Sequence, residues 1–104
     1  MAIKFITNND TTELDAAKTA FLDVFATWCG PCKAVAPIVE ELSEEFAGKV
    51  EFFKADSDEN QELAEKFRVM SIPNMLILKE GKVVSRQVGF QEADALRSWI
   101  EENL

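Results

Sequence analysis

Apolar positions along this chain change their period several times, and each change predicts a new element. Residues 3–6 (IKFI) suit a short strand, and the polar TNND that follows ends it. Asp10 and Glu13, three apart, form a capping-box-like start for a helix over residues 11–18 (TTELDAAK). Residues 20–26 (AFLDVFA) are a nearly continuous apolar run of strand length, the pattern of a central strand covered on both faces, and only Asp23 interrupts it. The period then becomes helical, with Val35, Ile38, Val39, Leu42 and Phe46 at spacings of three and four. Pro37 inside that helix is expected to kink it.

Beyond Gly48 the alternation resumes. Residues 50–56 (VEFFKAD) read as a strand and residues 59–67 (ENQELAEKF) as a second amphipathic helix, so strand, helix and strand imply a parallel right-handed crossover. NMLILK (74–79) and KVVSRQV (82–88) flank Glu80-Gly81, a short glycine-containing connection that predicts an antiparallel hairpin. Residues 91–104 close with a helix whose Ala93, Leu96, Trp99 and Ile100 form one apolar stripe, which core packing explains without any cofactor. The sum is an α/β architecture, a mixed sheet of four or five strands flanked by helices on both faces. No repeat or linker divides the chain, so residues 1–104 are expected to form one domain.

Composition adds little to the fold and more to the partners. Hydrophobic residues make up 47% of the 104 and charged residues 29%, as in an ordinary globular domain. Nineteen acidic residues against eleven basic ones give a formal charge of -8, with the cations dispersed, a field that repels nucleic acid and anionic membranes. The N-terminal segment turns polar after six residues and has neither an apolar signal region nor a span of membrane length. A cytoplasmic protein is expected, and in that compartment a close cysteine pair is catalytic or metal-binding more often than structural.

Both cysteines lie in ATWCGPCKAV (26–35), Cys29 and Cys32 separated by Gly30 and Pro31, at the predicted junction of strand and helix. Carboxyl ends of strands in open α/β sheets are where ligands bind. Two cysteines placed at random in a chain this long fall three apart about one time in fifty, so coincidence is a poor account of the pair. A zinc site needs four ligands, and there is neither a histidine nor a third cysteine, so metal would require two chains sharing one ion. A permanent structural disulfide across so short a loop restricts the unfolded chain little.

Thiol–disulfide exchange suits the spacing best. Residues three apart on a helix face the same side, close enough for a disulfide to open and close without refolding. Cys29 falls at the helix start, where unsatisfied N–H groups and the macrodipole stabilise a thiolate, and Cys32 falls one turn deeper. Cys29 is therefore expected to attack and Cys32 to resolve. Pro31 near the first helical position gives up an N–H that has no helical partner there.

Three other features carry weaker chemistry. ADSDEN (55–60) begins like a calcium loop, but Gln61 and Phe67 stand where its glycine and terminal glutamate belong, which leaves a solvated turn and helix cap. Asn9-Asp10-Thr11 is formally a glycosylation sequon, relevant only in a secreted protein, and capping is the better reading. Trp28 beside the cysteines serves either the core or a contact surface, and a tryptophan at a strand end favours the surface.

WCGPCK (28–33) resembles the active site of the thioredoxin family, and the resemblance continues through Asp23 six residues before Cys29, Pro37 eight after it, SIPN around Pro73, EGK at Gly81 and VGF at 88–90. It covers nearly the whole chain in order. It implies a thioredoxin fold, reduction of disulfides in client proteins, and re-reduction by a thioredoxin reductase whose NADPH and flavin belong to that partner, with no cofactor bound here. The Gly-Pro between the cysteines resembles the reducing members of the superfamily. The resemblance also implies a cis Ile72-Pro73 bond facing the cysteines, and a groove rimmed by Trp28, Ile72, Gly89 and Phe90. Phe25 departs from the tryptophan common two or three residues before the active-site Trp, Asn74 from a common threonine after the proline, and Ser71 from a frequent glycine. A monomer is expected. The competing reading is a thioredoxin-fold binding module whose cysteines are dispensable.

Asp23 needs its own reason, because an unpaired charge in a covered strand is costly. It is either a polar core group paired to Lys54 of the neighbouring predicted strand, or a base that accepts the proton of Cys32 with Lys54 assisting. The second reading rests partly on the resemblance. Asn74 is either a substrate contact or a residue that satisfies its own loop, and the loop reading is favoured.

Overall fold

In the computed structural model, which describes residues 3–104, five strands and four helices alternate except where β5 follows β4 directly. They are β1 (Ile3–Ile6), α1 (Thr12–Ala16), β2 (Thr19–Phe25), α2 (Gly30–Glu45), β3 (Glu51–Asp56), α3 (Gln61–Lys66), β4 (Asn74–Lys79), β5 (Lys82–Val88) and α4 (Ala93–Glu102). The strands form one sheet in the order β1-β3-β2-β4-β5. β3 runs parallel to both β1 and β2, while β4 is antiparallel to β2 and to β5. The sheet is mixed because β1, β2 and β3 are joined by helical crossovers that keep them parallel, whereas the α3 connection brings β4 back antiparallel to β2 and a tight turn joins it to β5.

Side-chain alternation along the central strands sorts the core into two layers. Ala20, Leu22 and Val24 of β2 join Phe53, Ala55, Leu76 and Leu78 under Leu14 of α1 and Leu63 of α3. Phe21 joins Phe52, Met75 and Ile77 under Val35, Val39 and Leu42 of α2 and Leu96, Trp99 and Ile100 of α4. Each fully buried Leu, Ile or Phe contributes roughly 1.5–3 kcal/mol, so each layer is a large stabilising term in its own right. Of the α4 stripe read from the sequence, Leu96, Trp99 and Ile100 lie in this second layer while Ala93 at the helix start is half-buried outside it, and Trp99 adds a hydrogen bond from Nε1 to the Ser85 hydroxyl at 2.7 Å.

Local chemistry corrects several expected boundaries. The capping box at Asp10 does not form: Asp10 Oδ1 accepts from the Thr12 N–H (3.0 Å) and hydroxyl (2.6 Å), and Glu13 reaches instead to Lys4 Nζ at 3.1 Å. α1 is accordingly one short turn, ending at Ala16 because Ala17 is extended and β2 starts two residues later. At α3 the Asn60 side chain does not cap its own helix. Asn60 Nδ2 donates to Ile6 O and Asp56 O, and its Oδ1 accepts from the Asn9 N–H. Asn9 Oδ1 in turn accepts from the Leu63 N–H at 2.9 Å, so the cap comes from a distant loop. In the β4–β5 turn, Glu80 and Gly81 both have positive φ (50° and 82°), the type I′ geometry that a two-residue hairpin needs. Pro37 lies inside α2, which runs unbroken from Gly30 to Glu45.

Candidate redox site

β2 delivers the chain to the cysteines. It ends at Phe25, a turn follows in which the Cys29 N–H donates to Ala26 O at 3.2 Å, and Cys29 then becomes the N-cap of α2 with extended backbone (φ -88°, ψ 114°). Gly30 opens the helix, and Pro31 occupies the first turn, where its missing N–H leaves no gap. Cys29 and Cys32 are joined as a disulfide with Cα atoms 5.3 Å apart. The Cys32 N–H also points at Cys29 Sγ, 3.2 Å away, so the helix start offers a donor to whatever charge that sulfur carries.

Residue exposure does not separate the two cysteines, at 5% for Cys29 and 3% for Cys32. Their surroundings do. Cys29 Sγ lies 3.8 Å from the carbonyl oxygen of Ile72, at the surface loop before β4. Cys32 lines a cleft of about 270 Å³ together with Phe25, Ala26, Thr27, Lys33, Ala36 and Lys54. One cysteine therefore adjoins the loop before β4, and the other a cleft that it shares with Lys54 of β3.

Below that cleft sits the charged pair. Asp23 is fully buried on the α2 side of β2, in register with Lys54 on one neighbour and Met75 on the other. Among the described residues no donor reaches either carboxylate oxygen; Lys54 Nζ stands 3.9 Å from Oδ2, at the limit of an ion pair and beyond a direct hydrogen bond. Burial pushes the Asp23 carboxyl up to about 6, and the Lys54 cation opposes that rise. Such a carboxylate changes protonation near the pH at which thiols are asked to lose protons.

Ile72-Pro73 is cis, as the sequence resemblance implied, and Ile72 packs on the cluster of Ala26, Cys29 and Cys32. Pro73 O accepts the Gly89 N–H at 2.8 Å, and Gly89 has φ 88°, a conformation glycine adopts without strain. Phe90 follows it, partly exposed. Trp28 is 69% exposed and belongs to the surface rather than the core. It lines a groove of about 420 Å³ with Ser57, Ala64, Val69, Met70, Ser71 and Ile72. Asn74 is buried, with Nδ2 donating to Ser71 O and Oδ1 accepting from Arg86, so its polar atoms are spent on its own loop and on β5.

Two contributors escape sequence reasoning. Asp58 Oδ2 accepts the Trp28 indole N–H at 2.8 Å and fixes the ring, although the surrounding acidic stretch reads only as a solvated turn. Met70 rims the groove at 93% exposure. No spacing signal joins Trp28 to a residue thirty positions away; only the docking of β3 beside β2 does. Among the described residues no group of three or more His, Cys, Asp or Glu is placed to hold a metal ion, and no helix is long and apolar enough to cross a membrane.

Known proteins give the site its context. A family model described as Thioredoxin matches residues 3–102. Among curated proteins, the chain is 43% identical to the thioredoxin of Bacillus subtilis (strain 168) and 41% identical to that of Staphylococcus haemolyticus (strain JCSC1435), each over 104 residues and the full length of both chains. Among solved structures, a mutant thioredoxin from Halobacterium salinarum NRC-1 superposes with a TM-score of 0.85 at 35% identity, covering 96% of this chain and 88% of that one.

Proposed function

The chain belongs to the thioredoxin family and is a thiol–disulfide oxidoreductase that reduces protein disulfides; from that premise we propose how its residues divide the work. Cys29, as thiolate at the α2 N-cap, attacks one sulfur of a client disulfide. The client S–S bond breaks, a mixed disulfide forms, and the other client sulfur leaves as a thiolate that takes up a proton. Cys32 then gives its proton to Asp23 and attacks Cys29 Sγ. The intramolecular disulfide forms, the second client sulfur departs, and two electrons have passed from the dithiol to the client.

The observation that carries this reading is the stacking of Cys32, the Lys54-lined cleft and the unpartnered Asp23 carboxylate on one face of the sheet. Lys54 keeps the Asp23 proton mobile by stabilising the anion. Trp28, Gly30, Pro31, Ile72, Pro73, Gly89 and Phe90 form the client-binding surface, in which the apolar groove beside Trp28 takes side chains and the Ile72 backbone, beside Cys29 Sγ, pairs with an extended segment. The single domain works as a monomer in the cytoplasm, binds no cofactor of its own, and is returned to the dithiol by a thioredoxin reductase that carries the flavin and draws on NADPH. Its acidic surface keeps it off nucleic acid and anionic membranes.

Trapping tests the assignment. Offered a disulfide client, Cys32→Ser accumulates a covalent adduct at Cys29 visible by mass spectrometry, and Cys29→Ser accumulates none. Equal adducts on either remaining cysteine would overturn it.

A further inference from the structure

β1 carries an aromatic residue for which packing offers no reason. On the face toward α2, Ile3 packs into the core layer, whereas Phe5, two residues along on the same face, is 61% exposed. Its register partner across β3 is Lys54, and the partner of Lys54 on the other side is Asp23, so the three stand in one row across the sheet. The Lys54 ammonium lies 6.0 Å from the centre of the Phe5 ring and 4.8 Å from that of Phe25, and the two rings meet edge to face at 6.4 Å. A long, flexible ammonium that would otherwise extend into water is thus held between two aromatic faces.

We propose that Phe5 is a positioning residue: with Phe25 it forms an aromatic box that holds the Lys54 ammonium at the mouth of the Cys32 cleft and fixes how strongly that cation bears on Asp23. The inference rests on the assignment of Asp23 as the proton acceptor, and it adds a residue outside the cysteine loop to the control of that step. Other groups facing the pair are few. α2 contributes Cys32 and Lys33 around the cleft, β4 contributes only Met75, and on β3 the carboxylate of Asp56, opposite Phe25, accepts from the Asp58 N–H. Lys4 of β1 is on the opposite face with Glu13 and Glu51.

Titration of the Asp23 carboxyl carbon by NMR in the oxidised protein reads the box directly. Phe5→Leu frees the ammonium, weakens its hold on the anion and raises the Asp23 midpoint by about 0.3 pH unit, a twofold change in proton affinity. Lys54→Gln raises it further, and Phe5→Tyr, which keeps the aromatic face, leaves it at the wild-type value. A midpoint in Phe5→Leu equal to wild type, or one unmoved in Lys54→Gln, overturns the proposal. The pH profile of mixed-disulfide resolution separates it from the reading beneath: if the NMR midpoint shifts and the rate inflection does not follow, the box stands and Asp23 is not the base.

Discussion

The two faces of β2 share one backbone and solve different problems. Toward α1 and α3 the strand presents Ala20, Leu22 and Val24, all buried in an apolar layer. Toward α2 and α4 it presents Phe21 and then Asp23, a carboxylate with no hydrogen-bond donor and one distant cation. The first face stores stability. The second gives some of it up at Asp23, two residues before the strand ends at the cysteine loop, which is the pattern expected where function and packing compete for the same residue.

The largest test of that contrast lies at its reactive end. Cys29→Ser should lower turnover with reductase, NADPH and a disulfide protein by about 10³-fold or more, with the fold intact by circular dichroism. On the quiet face, Leu22→Ala should cost about 2–5 kcal/mol in urea unfolding while leaving the pH profile of reduction unchanged. A displaced pH profile would mean that the two faces are not independent.

Asp23→Asn should do the reverse. On the proposed assignment, removing this carboxylate slows resolution of the mixed disulfide by about 10²-fold, and stability at neutral pH rises. The sign follows from linkage: the folded pKa of about 6 lies above the ordinary carboxylate value of 3.8, so the folded state holds this proton more tightly than the unfolded one. The stability this group contributes is fully present below pH 3.8 and is lost as pH rises through 6, which leaves the native state penalised at pH 7. Urea midpoints of the oxidised variant should exceed wild type at pH 7 by an amount worth roughly 1–3 kcal/mol and converge with it near pH 4. The smallest effect belongs to Trp28, which is exposed and held by Asp58: Trp28→Ala should raise client KM about fivefold and change stability by less than about 0.5 kcal/mol.

Much of this was legible because β2 is written without ambiguity. A covered apolar run broken only by an acid announces a central strand and a residue that needs explaining, and Lys54 on the neighbouring predicted strand was already one candidate partner for it. Cys29 and Cys32 were legible from spacing and from the strand-to-helix junction. What resisted was side-chain choice among local alternatives. Asp10 could satisfy Thr12 or cap a longer helix, and two bonds to Thr12 prevailed. ADSDEN read only as a solvated turn and helix cap, yet the end of β1 claims the Asn60 amide and Asn9 supplies the α3 cap from 54 residues away. Such exchanges depend on which loops the sheet brings together, and no window of sequence contains both partners.

The strand order carries a consequence for synthesis. Among the described strands β1 pairs with β3 alone, so Ile6 meets its strand partner Ala55 only after that residue has left the ribosome. At ordinary translation rates the first strand waits roughly 2–10 s as a free edge, a window in which a nascent segment is open to chaperones and to other chains. Its brevity, four residues with Lys4 among them, makes it a poor template for those other chains, so the same lysine that braces α1 through Glu13 in the finished protein guards the unfinished one.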